Sequence, residues 1–315
     1  MTSPTRETAK DEPAVAAQAR PAARPAGLAA LLLAMLQAAR PRQWPKNLLV
    51  FAAPLAAATL GRPDGFGYAL VAFAAFTAAS SAVYLINDVM DAERDRLHPT
   101  KRNRPIASGR LPAPLALVLA AAGLGLAMLA SFAIGEPRLA LVVGIYVLTS
   151  WLYSAGLKHL PGVELAFVAS GFVLRAIGGA VATHVPPSAW FLTVCSLGAL
   201  MVAIGKRYTE LSLLGTDAAA HRPVMRWYHI WLLRAGQRAA SAVMLIAYVL
   251  WALSHHDPWM RAWHLASALP LACALVRFDR LTGLADGRPV EDLIARDPTM
   301  MCAELVWLAM FTVGL

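Results

Sequence analysis

Residues 66–95 read FGYALVAFAAFTAASSAVYLINDVMDAERD. The first part of this stretch, 66–87, contains no Asp, Glu, Lys or Arg and matches the ~20 apolar residues an α-helix needs to cross the hydrocarbon core of a bilayer. Directly afterwards the chain turns acidic, with Asp88, Asp91, Glu93 and Asp95, and then basic, with Lys101, Arg102 and Arg104. A membrane helix that delivers a charged cluster to one membrane face accounts for both halves.

The same apolar pattern recurs along the chain. Runs at about 44–60, 66–87, 113–134, 138–155, 161–182, 189–206, 237–254, 259–277 and 300–315 predict an all-α, polytopic membrane protein of nine transmembrane helices. Composition agrees: 58% of the 315 residues are hydrophobic and 15% charged, and the mean hydropathy is +0.54, whereas soluble domains carry about 25% charged residues. Gly27 to Leu36 is shorter still and reads as an interfacial helix within 27–43 in preference to a tenth span. Residues 1–26, rich in Ala, Pro and charge without an apolar centre, read as a disordered tail, not a signal peptide. That leaves 27–315 as a single membrane-embedded domain. With the N-terminus in the cytoplasm, the inner connections hold 24 of the 28 Lys and Arg, and the outer ones hold Arg62, Arg138 and Arg261. Such a bias fits the positive-inside rule and turns most of the net charge of +9 into a cytoplasmic feature. Cys195, Cys273 and Cys302 lie in or beside apolar runs without metal-like spacing, so neither a disulfide nor a zinc site is expected.

At ~100° per residue, taking Asn87 as zero puts Asp91 near 40°, Asp95 near 80° and Asp88 near 100°, while Glu93 points away at about 240°. Carboxylates crowded on one face repel unless a cation joins them. Hard oxygen donors suit Mg²⁺, which commonly bridges one or two carboxylates to substrate phosphates. The competing reading is a solvated helix end in which Arg94 and Arg96 pair with the acids. A second cluster closes the sixth run, where Lys206, Arg207 and Glu210 fall on one face that could hold phosphate or simply cap the helix with an internal Lys–Glu pair. The third comprises Tyr153, Lys158 and Glu164, followed by Gly171, Arg175 and Gly178 on one helical stripe. An intramembrane Arg is costly and normally faces a cavity or a partner, which marks Arg175; a pair with Glu164 would have to bridge ~16 Å. Gly123 and Gly125 read as helix contacts, and His255-His256-Asp257 as solvated loop residues. No P-loop, GxSxG or HExxH motif occurs, and a nucleic-acid reader would need a soluble module that the chain lacks.

Asn87-Asp88-x-x-Asp91-x-x-x-Asp95 on the second of nine spans resembles the first aspartate-rich motif of the UbiA-type membrane prenyltransferase superfamily, which binds Mg²⁺-diphosphate in a cytoplasmic-side cavity. Members that make aromatic prenyl conjugates usually carry a second aspartate-rich motif near the end of the sixth span, where this chain has Lys206-Arg207-x-x-Glu210. The set Pro41-Arg42-Gln43-Trp44-Pro45-Lys46-Asn47, His98-Pro99-x-Lys101-x-x-Arg104-Pro105, Tyr153-Ser154-x-x-Leu157-Lys158, Gly171-Phe172-x-Leu174-Arg175 and Gly205-Lys206-Arg207-Tyr208 is similar to the decaprenyl-phosphate phosphoribosyltransferase branch. Glu164 departs from the Asp expected there, and the Trp- and His-rich segment His221 to Arg234 matches no motif.

The resemblance implies transfer of 5-phosphoribose from phosphoribosyl diphosphate (PRPP) to a polyprenyl phosphate in the plasma membrane, for cell-envelope synthesis. Asp88, Asp91 and Asp95 would hold Mg²⁺ on the diphosphate with Asn87 beside them. Lys46, Lys101, Arg104, Tyr153, Lys158 and Arg175 would contact substrate, and Lys206, Arg207 and Glu210 would complete the site. Two other classes compete: a polyprenyl diphosphate:aromatic-acceptor prenyltransferase using the same metal site, and a transporter, which would move solute and form no covalent product. Oligomeric state, including a homo-oligomer, is left open.

Overall fold

Proline occupies the first or second position of five of the twelve α-helices among the described residues, because its missing N–H is one that a helix start leaves unpaired anyway. The computed structural model describes residues 27–218, 222–284 and 290–315, and contains no strand among them. Its α-helices are α1 (Leu28–Ala38), α2 (Ala52–Ala56), α3 (Pro63–Met90), α4 (Ala92–Leu97), α5 (Ala113–Ala133), α6 (Pro137–Ala155), α7 (Val163–Ala182), α8 (Ala189–Leu214), α9 (Ile230–Leu253), α10 (Pro258–Leu284), α11 (Val290–Arg296) and α12 (Pro298–Val313). Side chains cap three starts: Glu136 accepts from Arg138 N–H at α6, Ser188 from Phe191 at α8, and Asp297 from Met300 at α12.

Six of the described helices, α3 and α5 to α9, are long and apolar enough to cross a membrane, so the expected count of nine is not reached on that criterion. The run at 44–60 is the main difference. It forms a 3-10 helix, Pro41–Phe51, followed by the short α2. Pro41 and Pro45 remove backbone donors, which favours the tighter winding. At ~2.0 Å per residue a 3-10 segment of this length rises about 22 Å, and α2 adds about 7 Å. The segment runs along the first half of α3: Asn47 Nδ2 donates to Thr77 Oγ1 at 3.0 Å, and the Phe51 and Phe66 rings lie 6.0 Å apart. Gly179 on α7 makes the packing possible, since a Cβ there would stand 1.7 Å from the Val50 carbonyl oxygen. Of the other two runs, α12 has only 16 residues, and α10 carries Arg261, Arg277, Asp279 and Arg280. Gly27 to Leu36 forms α1, which buries Ala34 and Ala38 and exposes Leu28, Leu32, Leu33 and Leu36. Of the two glycines on α5, Gly123 packs on Ala78 of α3, whereas Gly125 faces open space. The expected tail, 1–26, lies outside the described residues.

α7 is the central element, packed on the 3-10 helix, α2, α3, α6 and α8; α8, α9, α10 and α12 form the other half. Successive helices alternate in direction. The ends of α3, α6, α8 and α10 therefore meet the starts of α5, α7, α9 and α12, and this end of the bundle gathers nearly all the polar clusters.

Candidate active site

Asp88 and Asp95 form the first cluster. Both side chains are buried, at 4% and 5% exposure, because Asp88 sits on the inner face of α3 and the chain re-enters as α4 directly afterwards. Arg104 joins them, its Nη1 donating to Asp88 Oδ1 at 3.1 Å and to Asp95 Oδ2 at 2.7 Å. Arg40, between α1 and the 3-10 helix, donates Nη2 to the same Asp88 oxygen at 2.6 Å. Asp91 does not join them. α3 ends at Met90 and Asp91 caps both helices, so its carboxyl turns outward, 42% exposed and 3.8 Å from Arg94. The expected three-carboxylate face is thus two converging acids with a third beside them, and the Arg94 contact belongs to the competing solvated-end reading. Among the described residues no three His, Cys, Asp or Glu side chains converge on one metal position.

Deeper in the bundle, Arg175 is buried on α7 without an acid partner among the described residues. Its Nε donates to Asn47 Oδ1 at 2.7 Å, Nη2 to Tyr146 OH at 3.0 Å and Nη1 to the Gly171 carbonyl at 2.5 Å, with the guanidinium 4.7 Å from the Tyr146 ring centre. The alternative pair with Glu164 does not form.

Glu164, fully buried, is held by Arg207 instead, through a fork from Nε to Oε1 and Nη2 to Oε2, both 2.6 Å. Arg207 Nη1 also donates to Glu210 Oε2 at 2.9 Å. Arg222 crosses over this pair, donating to Tyr153 OH at 3.0 Å and lying 3.6 Å from both Glu164 and Glu210. Tyr228 OH accepts from Gly162 N–H at 2.8 Å and donates to Glu164 at 3.3 Å; burial, above all, raises its hydroxyl above the ordinary tyrosine range. Lys206, Arg207 and Glu210 therefore do not share one open cationic face. Arg207 turns inward at 2% exposure and pairs with Glu210 within the helix, while Lys206 is exposed. Further along the same end, Arg234 and Arg238 both reach Asp279, and Arg234 also donates to Tyr208 OH.

A sequence model described as the UbiA prenyltransferase family matches residues 47–290. The chain belongs to the UbiA prenyltransferase family. The decaprenyl-phosphate phosphoribosyltransferase of Mycobacterium tuberculosis is 42% identical over 292 residues, covering 90% of this chain and 94% of that protein. The protein of that name from Corynebacterium glutamicum is 38% identical over 280 residues, 87% and 84% of the two chains. In fold the chain resembles a digeranylgeranylglyceryl phosphate synthase (TM-score 0.66, 16% identity, 90% and 98% covered). It also resembles a UbiA homologue from Archaeoglobus fulgidus bound to DMAPP and Mg²⁺ (TM-score 0.63, 17% identity, 89% and 97% covered).

Of the other expected site residues in this UbiA-family bundle, Asn87 is half-buried next to Asp88, Lys46 half-buried on the 3-10 helix, Lys158 half-buried in the turn after α6, and Lys101 exposed before Arg104. Arg40, Asn47, Tyr146, Arg222 and Tyr228 are polar members that sequence reasoning did not single out. Tyr146 had a usable signal, since it lies seven residues before Tyr153 and so on the same helical face. Arg222 and Tyr228 come from the segment that matched no motif.

Proposed function

We propose that this protein transfers 5-phosphoribose from PRPP to the phosphate of a polyprenyl lipid, releasing diphosphate, with its site facing the cytoplasm and residues 27–315 acting as one catalytic domain in the plasma membrane. The observation that carries this reading is 38–42% identity, over most of both chains, to enzymes named decaprenyl-phosphate phosphoribosyltransferase. The charge arrangement supports it. PRPP brings a diphosphate and a separate 5-phosphate and the acceptor is a third phosphate, while the site offers a carboxylate pair with its arginines and, apart from it, Arg175, which has no acid partner among the described residues.

The donor set fits Mg²⁺. Asp88 and Asp95 are hard oxygen donors, buried together with guanidinium groups as counter-charge, and magnesium typically takes one or two carboxylates and completes its shell with water and phosphate. Asp88 and Asp95, with Asp91 beside them, would hold the ion, which would offset charge developing on the departing diphosphate. Asn87 would hydrogen-bond alongside, and Arg104 keeps the two acids together. Arg175, preset by Asn47 and Tyr146, and Lys46, Lys101, Lys158 and Lys206 bind phosphate oxygens. Arg222 and Arg207, themselves held by Glu164 and Glu210, orient Tyr153. The acceptor phosphate is already anionic near neutral pH, so no strong general base is needed, and the residues act by positioning and by electrostatic stabilisation.

The test is a purified-protein assay with PRPP, decaprenyl phosphate and Mg²⁺, in which the phosphoribosylated lipid should form and EDTA should abolish it. Turnover only with a prenyl diphosphate and an aromatic acid would overturn the proposal, as would solute flux without any covalent product.

A further inference from the structure

Asp88 Oδ1 already accepts from two guanidinium groups, Arg40 at 2.6 Å and Arg104 at 3.1 Å. The two arginines are not equivalent. Arg104 spans both acids, so it serves the pair as a unit. Of the two acids Arg40 reaches Asp88, with its guanidinium 4.6 Å from the centre of the Tyr84 ring and its side chain 30% exposed. Its backbone lies at φ 55, a left-handed region that a non-glycine residue occupies only when its surroundings hold it there. It also precedes residues 47–290, the span that matches the family model.

We propose that Arg40 is a positioning residue that stands in for the metal: without Mg²⁺ it neutralises Asp88, and once the metal is bound it moves onto the diphosphate. The inference rests on the Mg²⁺-dependent transfer proposed above. Two carboxylates buried side by side need cations at every stage, and Arg104 alone supplies one charge for two. Guanidinium suits both states, because its planar fork matches carboxylate and phosphate oxygens alike. The Tyr84 face gives it a surface along which to shift.

The experiment is Mn²⁺ binding to the full-length protein in detergent, read by EPR as loss of the free-ion signal, with and without inorganic diphosphate. Arg40→Gln should tighten Mn²⁺ binding in the absence of diphosphate by roughly ten-fold, since a competing charge has left Asp88. It should also shrink the enhancement that diphosphate gives by a similar factor. A purely structural role for Arg40 predicts weaker metal binding, so unchanged or weakened Mn²⁺ affinity in Arg40→Gln overturns the proposal. Arg40→Lys keeps the charge and loses the fork; it should bind Mn²⁺ alone as the wild type does but show a smaller diphosphate enhancement. If Arg40→Gln does not fold, an undiminished enhancement in Arg40→Lys overturns the proposal instead. A wild type that binds no Mn²⁺ even with diphosphate overturns the Mg²⁺ reading itself, and this proposal with it.

Discussion

Replacing Arg207 by leucine should cost stability before it costs substrate affinity. The guanidinium is 2% exposed and makes both short bonds to Glu164, which is fully buried. Removing one member of such a pair strands a buried charge, at a cost of about 3–5 kcal/mol. Tyr228 at 3.3 Å and Arg222 at 3.6 Å remain near Glu164 and soften the loss, which places the estimate at the lower end, about 3 kcal/mol. For a domain of a few hundred residues each kcal/mol moves Tm by about 2–4 °C, so the purified variant should melt about 6–12 °C lower. Arg207→Leu with Glu164→Leu removes both charges and should recover most of that loss, because well-packed apolar pairs often replace buried ion pairs at little cost. The assay is thermal unfolding in detergent of wild type, both single variants and the double variant, paired with PRPP binding. If Arg207→Leu melts like wild type yet no longer binds PRPP, Arg207 is a direct substrate contact and the assignment to Glu164 is wrong.

Asp88→Ala should lower turnover at least about 100-fold, and Asp91→Ala should abolish it likewise, whereas Glu93→Ala, at an exposed position, should stay within about two-fold; equal damage from Glu93 would remove the geometric distinction between these acids. Arg175→Leu should lose activity by a similar factor while remaining folded and inserted, which gel filtration and the melting curve would report; a variant that fails to insert would make Arg175 structural. Asp297 carries a stability prediction in pH. The Arg277 fork, above all, and the backbone N–H of Met300 hold its carboxyl down to about 2, below its ordinary value of 3.8. Its folded-state pKa is depressed, so its contribution is fully present above pH ~4 and is lost as pH falls through about 2. The Tm difference between wild type and Asp297→Asn should therefore be flat from pH 5 to 8, and a difference that changes within that window would contradict the pairing.

What was legible in the sequence follows from which physical quantity each feature depends on. The helical class is set by apolar runs, and those are local: α3 and α5 to α9 coincide with six of them. The segment at 44–60 was legible as apolar but not as a 3-10 helix, because its winding depends on Pro41 and Pro45 acting together with a glycine, Gly179, more than a hundred residues away. Asp91 shows a similar limit. The arithmetic that put it with Asp88 and Asp95 assumed an unbroken helix, and the chain breaks at Asp91 itself.

For the cations, the sequence supplied identity but not partnership, which is the property that decides whether a charge is available to substrate. Arg207 and Lys206 are neighbours in sequence and differ almost completely in burial, because one helical step turns a side chain by ~100°. Sorted by partner, two clusters at the polar end are close to neutral within themselves: Asp88 and Asp95 lie with Arg40 and Arg104, and Glu164 and Glu210 with Arg207 and Arg222. Arg175, by contrast, is buried with only neutral partners among the described residues. A buried cation without an acid is unfavourable in the free protein unless an anion completes it. For the proposed reaction, position and imbalance together therefore single out Arg175, more than the basic residues that attract attention by number, as the place where a phosphate should add most to binding.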